Sequence, residues 1–513
     1  MTDAETVVMP RIGASEASVE DPWGEGRVGA DGRYGTVDRD TTGFASVARI
    51  ASWLVPGAVM GLFGLAGVAG PGLWADELVT WDRATSSWRE NWLPSHGTDV
   101  GSVPYHLVMR AWVEGFGTSD LALRAPSLLA MAAAAALVAA LATRLFGARV
   151  GFLAGVIFAL LPTSTRYAQE ARPYAFTLLV AVLATLFLVL AIGRPRRWPL
   201  VAYGMSVLLL GLFDAVALVL LTGHGWAVLV FGRQVARRWL LASSAGVLPV
   251  VALLWLGSRV TGLPLRASEG GARLLAGVPR ELFGVTALGA LLLGLALFSL
   301  PLRRTAAIYT AWAVVPLLVL LLASRVVSLS LSQCLLFTLP AWATLGAVAL
   351  GRTRAVWGVA VLAAIAVIGL PVQAAVREPD GHDQNTRQLA AIVGSGMRSG
   401  DGVVYVSTDP DGGRVGRSAL DRYLPTDRRP DDLLAIGSVS AFGGVPVAEC
   451  VEVGRCLGDT GRLWVVRFGE LVDPMHAIGG RKEELLRTRY EVAQIWRPTG
   501  FTLALLVDER TAV

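Results

Sequence analysis

The chain has 513 residues, 54% of them apolar and 17% charged, with a formal net charge of +5 and a mean hydropathy of +0.55. A soluble domain carries about a quarter charged residues, so a protein that is soluble throughout is excluded. Three cysteines exclude a disulfide-dense scaffold, and the basic residues form short clusters between apolar runs instead of a nucleic-acid patch.

In chain order, residues 1–48 are rich in Gly, Asp, Glu, Thr and Arg, with no apolar run near Met1. They read as a disordered cytosolic tail and not as a signal peptide. Runs approaching the about 20 apolar residues that a span needs follow at roughly 49–73, 121–146, 149–165, 171–193, 239–258, 281–301, 305–325, 328–350 and 355–376. The stretch 198–231 is too long for one span and is broken at Asp214, so it reads as two helices meeting at a polar turn. About eleven spans result. With the N-terminus inside, the cytoplasmic connections hold Arg144 and Arg149, Arg194 to Arg197, Arg233 to Arg238, Arg303 and Arg304, and Arg352 and Arg354. Each is short and basic, as inner loops are. Residues 49–376 are therefore expected to form an all-α polytopic domain in the plasma membrane, with a long first outer loop at 74–120.

An odd number of spans places residues 377–513 outside. This part is too polar to cross a membrane. It contains a helical stretch at 385–397, strand-like runs at 403–406, 463–468 and 502–507, and a polar helix at 481–489. A small extracytoplasmic α/β domain is expected. Asp409-Pro410-Asp411-Gly412-Gly413 lacks the spacing of a calcium loop and reads as a plain turn. Cys334 reads as a small packed hydrophobe. Cys450 and Cys456 lack the partners of a zinc site, and a disulfide between them is allowed if this part is outside.

Polar residues gather at the outer ends of the spans. Trp74-Ala75-Asp76-Glu77 follows the first span. Its two carboxylates either cap the next helix or supply a base together with a metal or hydroxyl ligand. The rest of the loop carries Trp81, Trp88, Trp92, Tyr105, Trp112 and Phe116, and Val103–Phe116 has the spacing of an amphipathic helix lying at the membrane surface. Between the third and fourth spans stands Arg166-Tyr167-Ala168-Gln169-Glu170-Ala171-Arg172-Pro173-Tyr174. Proline opens the fourth span, whose free N–H groups beside Arg172 form an anion site at headgroup depth. The bland alternative is a pair of snorkelling arginines with Glu170 as their ion partner. His224, inside a span, reads as a hydrogen-bonded core histidine. A carboxylate pair opposite a cationic helix end implies a lipid-phosphate substrate and a hydroxyl to be activated.

These motifs, with Asp99, Pro104-Tyr105-His106, Arg124-Ala125-Pro126-Ser127 and Gln169-Glu170-Ala171-Arg172-Pro173 in the same order, resemble a GT-C polytopic glycosyltransferase. The likeness is to an actinobacterial mannosyltransferase-like branch related to dolichyl-phosphate-mannose protein mannosyltransferases and aminoarabinose transferases, and it covers about residues 70–195. The resemblance implies inverting transfer of a sugar, mannose by family, from a polyprenyl-phosphate donor to a hydroxyl on a glycolipid, polysaccharide or protein at the outer face. Asp76 falls on the general base, and Glu77 on a residue that positions the acceptor or helps to hold a metal. Asp99, Tyr105, His106, Arg166, Tyr167, Gln169, Glu170, Arg172 and Tyr174 fall on the substrate-binding surface, with Arg172 against phosphate. The resemblance commits to no cofactor and leaves open a divalent metal, magnesium or manganese. Members of that family often carry a His followed by Leu-Tyr-Tyr where this chain has Ser102-Val103-Pro104-Tyr105-His106, and an Arg-Tyr pair opening a late span where it has Gln333-Cys334. Two other classes compete: a lipid-linked saccharide transporter, which would place polar groups at mid-span, and a non-catalytic glycan-binding membrane protein.

Overall fold

The structure, a computed structural model, describes residues 39–89, 103–193, 196–261, 271–299, 304–324, 331–406, 410–436 and 449–508. Helix α1 (Arg39–Leu65) leads to a connector that ends at the first loop helix, α2 (Ala75–Thr85). Residues 39–48, expected as the end of a disordered tail, are helical; residues 1–38 of that tail lie outside the described residues. The second loop helix is α3 (Val103–Phe116). The bundle continues with α4 (Asp120–Phe146), α5 (Ala148–Leu160), α6 (Pro162–Ala168), α7 (Tyr174–Gly193), α8 (Arg197–Phe213), α9 (Leu220–Phe231) and α10 (Ala236–Thr261). Then come α11 (Gly271–Phe283), α12 (Thr286–Phe298), α13 (Arg304–Ala323), α14 (Leu331–Leu335), α15 (Leu339–Gly351) and α16 (Ala355–Ala375).

Among the described residues, six helices are long and apolar enough to cross a membrane, two helix pairs pass the same test together but are bent at a break, and three shorter apolar helices accompany them. These correspond to the eleven expected segments, and the chain is a multi-pass membrane protein. The division at Asp214 is real: α8 stops there, and the Asp214 carboxylate accepts a hydrogen bond from Val216 N–H at 3.0 Å to start the turn into α9. Two of the apolar runs read as single spans are bent. The run at 149–165 bends by 67° between α5 and α6, and the run at 281–301 bends by 91° between α11 and α12. Pro162 cannot donate to the preceding turn, and Gly284 takes φ +82°, which a side chain resists. The two breaks touch each other, since a Cβ on Gly284 would stand 2.8 Å from Pro162.

The C-terminal part consists of α17 (Thr386–Gly396), β1 (Gly402–Val406), α18 (Pro410–Tyr423), β2 (Asp431–Asp432), α19 (Val453–Leu457), β3 (Arg462–Phe468), α20 (Gly480–Arg489), β4 (Tyr490–Trp496) and β5 (Phe501–Asp508). One five-stranded sheet has the order β2-β1-β3-β5-β4, parallel from β2 to β3 and antiparallel across β3, β5 and β4. The expected strands and both expected helices are present, and Cys450 and Cys456 are disulfide-bonded. The plain turn expected at 409–413 is corrected: a helix runs from Pro410, well placed at a first helical position. Two glycines weaken it, but Val415, Ala419 and Leu420 form a buried stripe against Tyr405, Trp464 and Val466, and that packing outweighs local propensity.

This domain does not stand apart. Leu73, Leu78, Tyr105 and Met109 from the first loop share one hydrophobic core with Leu389, Val393, Ala419, Trp464 and Phe501. Trp81, expected among the interfacial aromatics, packs under the Arg422 guanidinium at 5.4 Å. The loop helices are therefore held between the bundle and the C-terminal sheet.

Candidate active site

Asp76 and Glu77 occupy the first turn of α2. Successive residues on a helix point about 100° apart, and the two carboxylates meet opposite environments. Asp76 keeps 38% of its side chain exposed, and its Oδ2 lies 3.2 Å from Nη2 of Arg172. Glu77 is wholly buried. Its Oε1 accepts from Arg124 Nε at 2.8 Å and from the Ala171 N–H at 2.8 Å, and its Oε2 accepts from Arg124 Nη2 at 2.6 Å. Arg124 also donates to the carbonyls of Val68, Pro71 and Gly72. With both oxygens engaged, Glu77 does not fit a metal ligand, and among the described residues no group of three or more His, Cys, Asp or Glu side chains could hold a metal.

Arg172 leaves a tight turn in which its N–H bonds Glu170 O at 2.9 Å. Its guanidinium lies 5.5 Å from the centre of the Tyr174 ring, a cation–π distance. The Tyr174 hydroxyl donates to Gln333 Oε1 at 3.3 Å, and Tyr167 meets the Tyr174 ring edge-on at 5.2 Å. Gln333 thus stands in the site at the position where the resembled family often has arginine. Asp214 lies near Tyr174 and Cys334 at this same end of the bundle.

The remaining expected residues divide. Gln169 is buried, and its amide donates to Gly64 O and Ala66 O at 2.9 and 2.8 Å. Glu170 is also buried, accepting from Arg166 Nε at 2.8 Å with His382 Nδ1 3.3 Å away. Burial opposes ionisation of Glu170, but His382 and Arg166 outweigh it and hold the carboxyl well below the usual range. These two residues build the turn that presents Arg172. Tyr105 is a core residue edge-on to Phe176 at 5.9 Å. His106 is buried beside it; burial, helped by Arg83 and Arg172, pushes its pKa down to about 3, so it is a neutral imidazole. Asp99 and Trp92 lie outside the described residues.

Sequence reasoning gave no role to Arg124 or His382. An arginine near the start of an apolar helix needs a partner, and that was a legible signal for Arg124; nothing local marks His382. His224 accords with the reading of a satisfied core histidine, with Thr185 Oγ1 and Tyr203 Oη each 3.1 Å from its ring nitrogens.

Asp82, buried on α2, accepts from Ser418 Oγ at 2.7 Å and joins the loop to α18. Burial pushes its carboxyl up to about 7, against the effect of that hydrogen bond. Unfolded, it would ionise near its ordinary 3.8. Stability is therefore lost as pH rises through the window between those values and is undiminished below it. Asp82→Asn keeps an oxygen for Ser418. It is expected to melt above the wild type at about pH 8 and together with it at about pH 4; a difference independent of pH would contradict this.

Residues 104–255 match the dolichyl-phosphate-mannose-protein mannosyltransferase family. Crystalline ArnT from Cupriavidus metallidurans in the apo state superposes with a TM-score of 0.60 at 16% identity, covering 91% of this chain and 98% of ArnT. The fold is GT-C. ArnT bound to undecaprenyl phosphate superposes with a TM-score of 0.57 at 15% identity, over 90% and 98% of the two chains. No curated protein matches the sequence. Within the GT-C fold, the segments that carry Asp76 and Arg172 meet at one end of the bundle, under the C-terminal sheet.

Proposed function

We propose that this protein is a membrane glycosyltransferase that moves a sugar from a polyprenyl-phosphate donor to an acceptor hydroxyl, with inversion, at the extracytoplasmic face. The observation that carries the reading is the half-exposed Asp76 carboxylate 3.2 Å from Arg172, a base and an anion receptor side by side at the end of a GT-C bundle. Undecaprenyl phosphate bound to ArnT supports the donor class, and mannose is the sugar favoured by the family match.

In the mechanism, the donor phosphate takes the Arg172 guanidinium, assisted by the N-terminal end of α7. That exchange frees Asp76 from its ion pair. Asp76 removes the proton of the acceptor hydroxyl as its oxygen attacks the anomeric carbon. The polyprenyl phosphate leaves as an anion beside Arg172, so no acid is needed on the leaving side. Glu77 and Arg124 hold the turn that orients both groups. An apolar cavity of about 150 Å³, lined by Leu282, Phe283, Leu317, Leu335 and Trp342, adjoins α14 and suits the first isoprene units. The transporter reading has no comparable support, because the mid-span His224 network is satisfied internally.

The test is transfer of label from radioactive polyprenyl-phosphate mannose, and then from a panel of other polyprenyl-phosphate sugars, into lipid, protein and polysaccharide fractions of membranes that contain the protein. Label in one fraction names the acceptor class; silence across the panel would overturn the reading. Arg172→Ala is expected to lower transfer by roughly a hundredfold or more, the scale for losing one charge-stabilising donor. Arg172→Lys should recover part of it, since lysine keeps the charge but not the fork. Full activity in Arg172→Ala would remove the phosphate role.

A further inference from the structure

The connector from α1 to α2, which delivers Asp76, is held almost wholly by side chains from elsewhere. Arg377 donates to Phe63 O at 2.9 Å and Ala66 O at 2.7 Å. Arg387 donates to Ala69 O at 2.9 Å and Gly70 O at 3.0 Å. Thr386 Oγ1 donates to Leu73 O at 2.8 Å, and the Leu73 N–H donates to the Tyr423 hydroxyl at 2.8 Å. All four of these residues belong to the C-terminal part. Contact is close enough that a Cβ on Gly72 would stand 2.7 Å from Thr386 Oγ1. Arg387 and Arg422 also converge on the Asp120 carboxylate at the start of α4.

The last bond of this series reaches the residue before Asp76. Helix α2 has Trp74 at its N-cap position, which makes no side-chain cap. The first free N–H, that of Ala75, instead donates to Gln384 Oε1 at 2.8 Å across 309 residues of sequence. Trp74 stacks on His382, with ring centres 6.1 Å apart and planes 9° from parallel. The segment that carries Gln384 is itself fixed: Asn385 N–H donates to Thr499 O at 2.9 Å, Thr499 Oγ1 donates to Asp380 at 3.0 Å, and Asp383 sits at φ +61°. A left-handed aspartate of this kind persists only where its surroundings determine it.

We propose that Gln384 is a positioning residue for Asp76, and that the C-terminal domain is in this way a working part of the catalytic centre. Gln384 supplies from the far end of the chain the cap that α2 lacks and sets the rotation of the turn from which Asp76 projects. This rests on the reading of Asp76 as the base, and one of its two tests is independent of that reading.

The experiment compares Gln384→Leu, which removes the acceptor oxygen, with Gln384→Glu, which retains one, in the full-length protein in lipid nanodiscs. Hydrogen–deuterium exchange is followed on the peptide that contains the Ala75 amide, and transfer from the polyprenyl-phosphate sugar is measured in parallel. Gln384→Leu should exchange faster at the start of α2 and lose between about ten- and a hundredfold in kcat with an unchanged donor KM. Gln384→Glu should restore both, and both variants should keep the wild-type melting temperature. Unaltered exchange in Gln384→Leu, a wild-type kcat, or a Glu variant as impaired as the Leu variant would overturn the proposal. If the wild type transfers no sugar from any donor, the function reading falls, while faster exchange in Gln384→Leu alone would still establish the cap.

Discussion

Arg124→Met should leave little folded protein. The substitution strands Glu77, wholly buried, without its bidentate partner and leaves the carbonyls of Val68, Pro71 and Gly72 without a donor. Removing one member of a buried ion pair costs about 3–5 kcal/mol, against a total stability of roughly 5–15 kcal/mol for a typical folded protein. Arg124→Lys should rescue poorly, because one ammonium cannot replace a planar fork that serves a carboxylate and three carbonyls. The double variant Glu77→Gln, Arg124→Met should be less damaged than the sum of the single changes, since no bare charge remains inside. Size-exclusion profiles and melting temperatures in detergent read these variants together with Glu77→Gln alone. An Arg124→Met protein that melts with the wild type would show that the pair is not structural, and would return Glu77 to the catalytic candidates.

The bundle was legible because apolar runs of membrane length leave few alternatives, and because the polar Asp214 marked the break in the longest one. The bends at Pro162 and Gly284 were not, since a hydropathy run does not report direction. At the site, Asp76 and Arg172 could be singled out as polar residues at span ends, but their contact joins segments that only the folded bundle brings together. Adjacent Asp76 and Glu77 looked alike in sequence; their different fates depend on helix rotation and on Arg124, 47 residues away from Glu77. Gln169 and Glu170 sat inside a recognisable motif, yet their side chains face inward to build a turn. Gln384 and His382 had no signal at all, because a cap supplied from across the fold follows no local pattern. The helix at 410–423 was missed because its glycines obeyed turn chemistry while its buried stripe depended on a sheet formed later in the chain.

Asp76→Asn should slow transfer steeply while leaving the fold and donor binding in place. Asparagine preserves the size of the side chain and a hydrogen-bonding oxygen toward Arg172, but it cannot take a proton. General-base removal is worth about 10²–10⁴ in rate. Because the ion pair with Arg172 also disappears, the donor phosphate should bind Asp76→Asn at least as tightly as the wild type. Binding and chemistry therefore separate at one residue. The measurement is single-turnover transfer from radiolabelled polyprenyl-phosphate sugar, made on purified wild type and Asp76→Asn after the bound donor has been quantified in each. The account predicts equal or greater donor occupancy in Asp76→Asn with transfer reduced by about 10²-fold or more. Transfer at the wild-type rate from a fully occupied Asp76→Asn protein would contradict it.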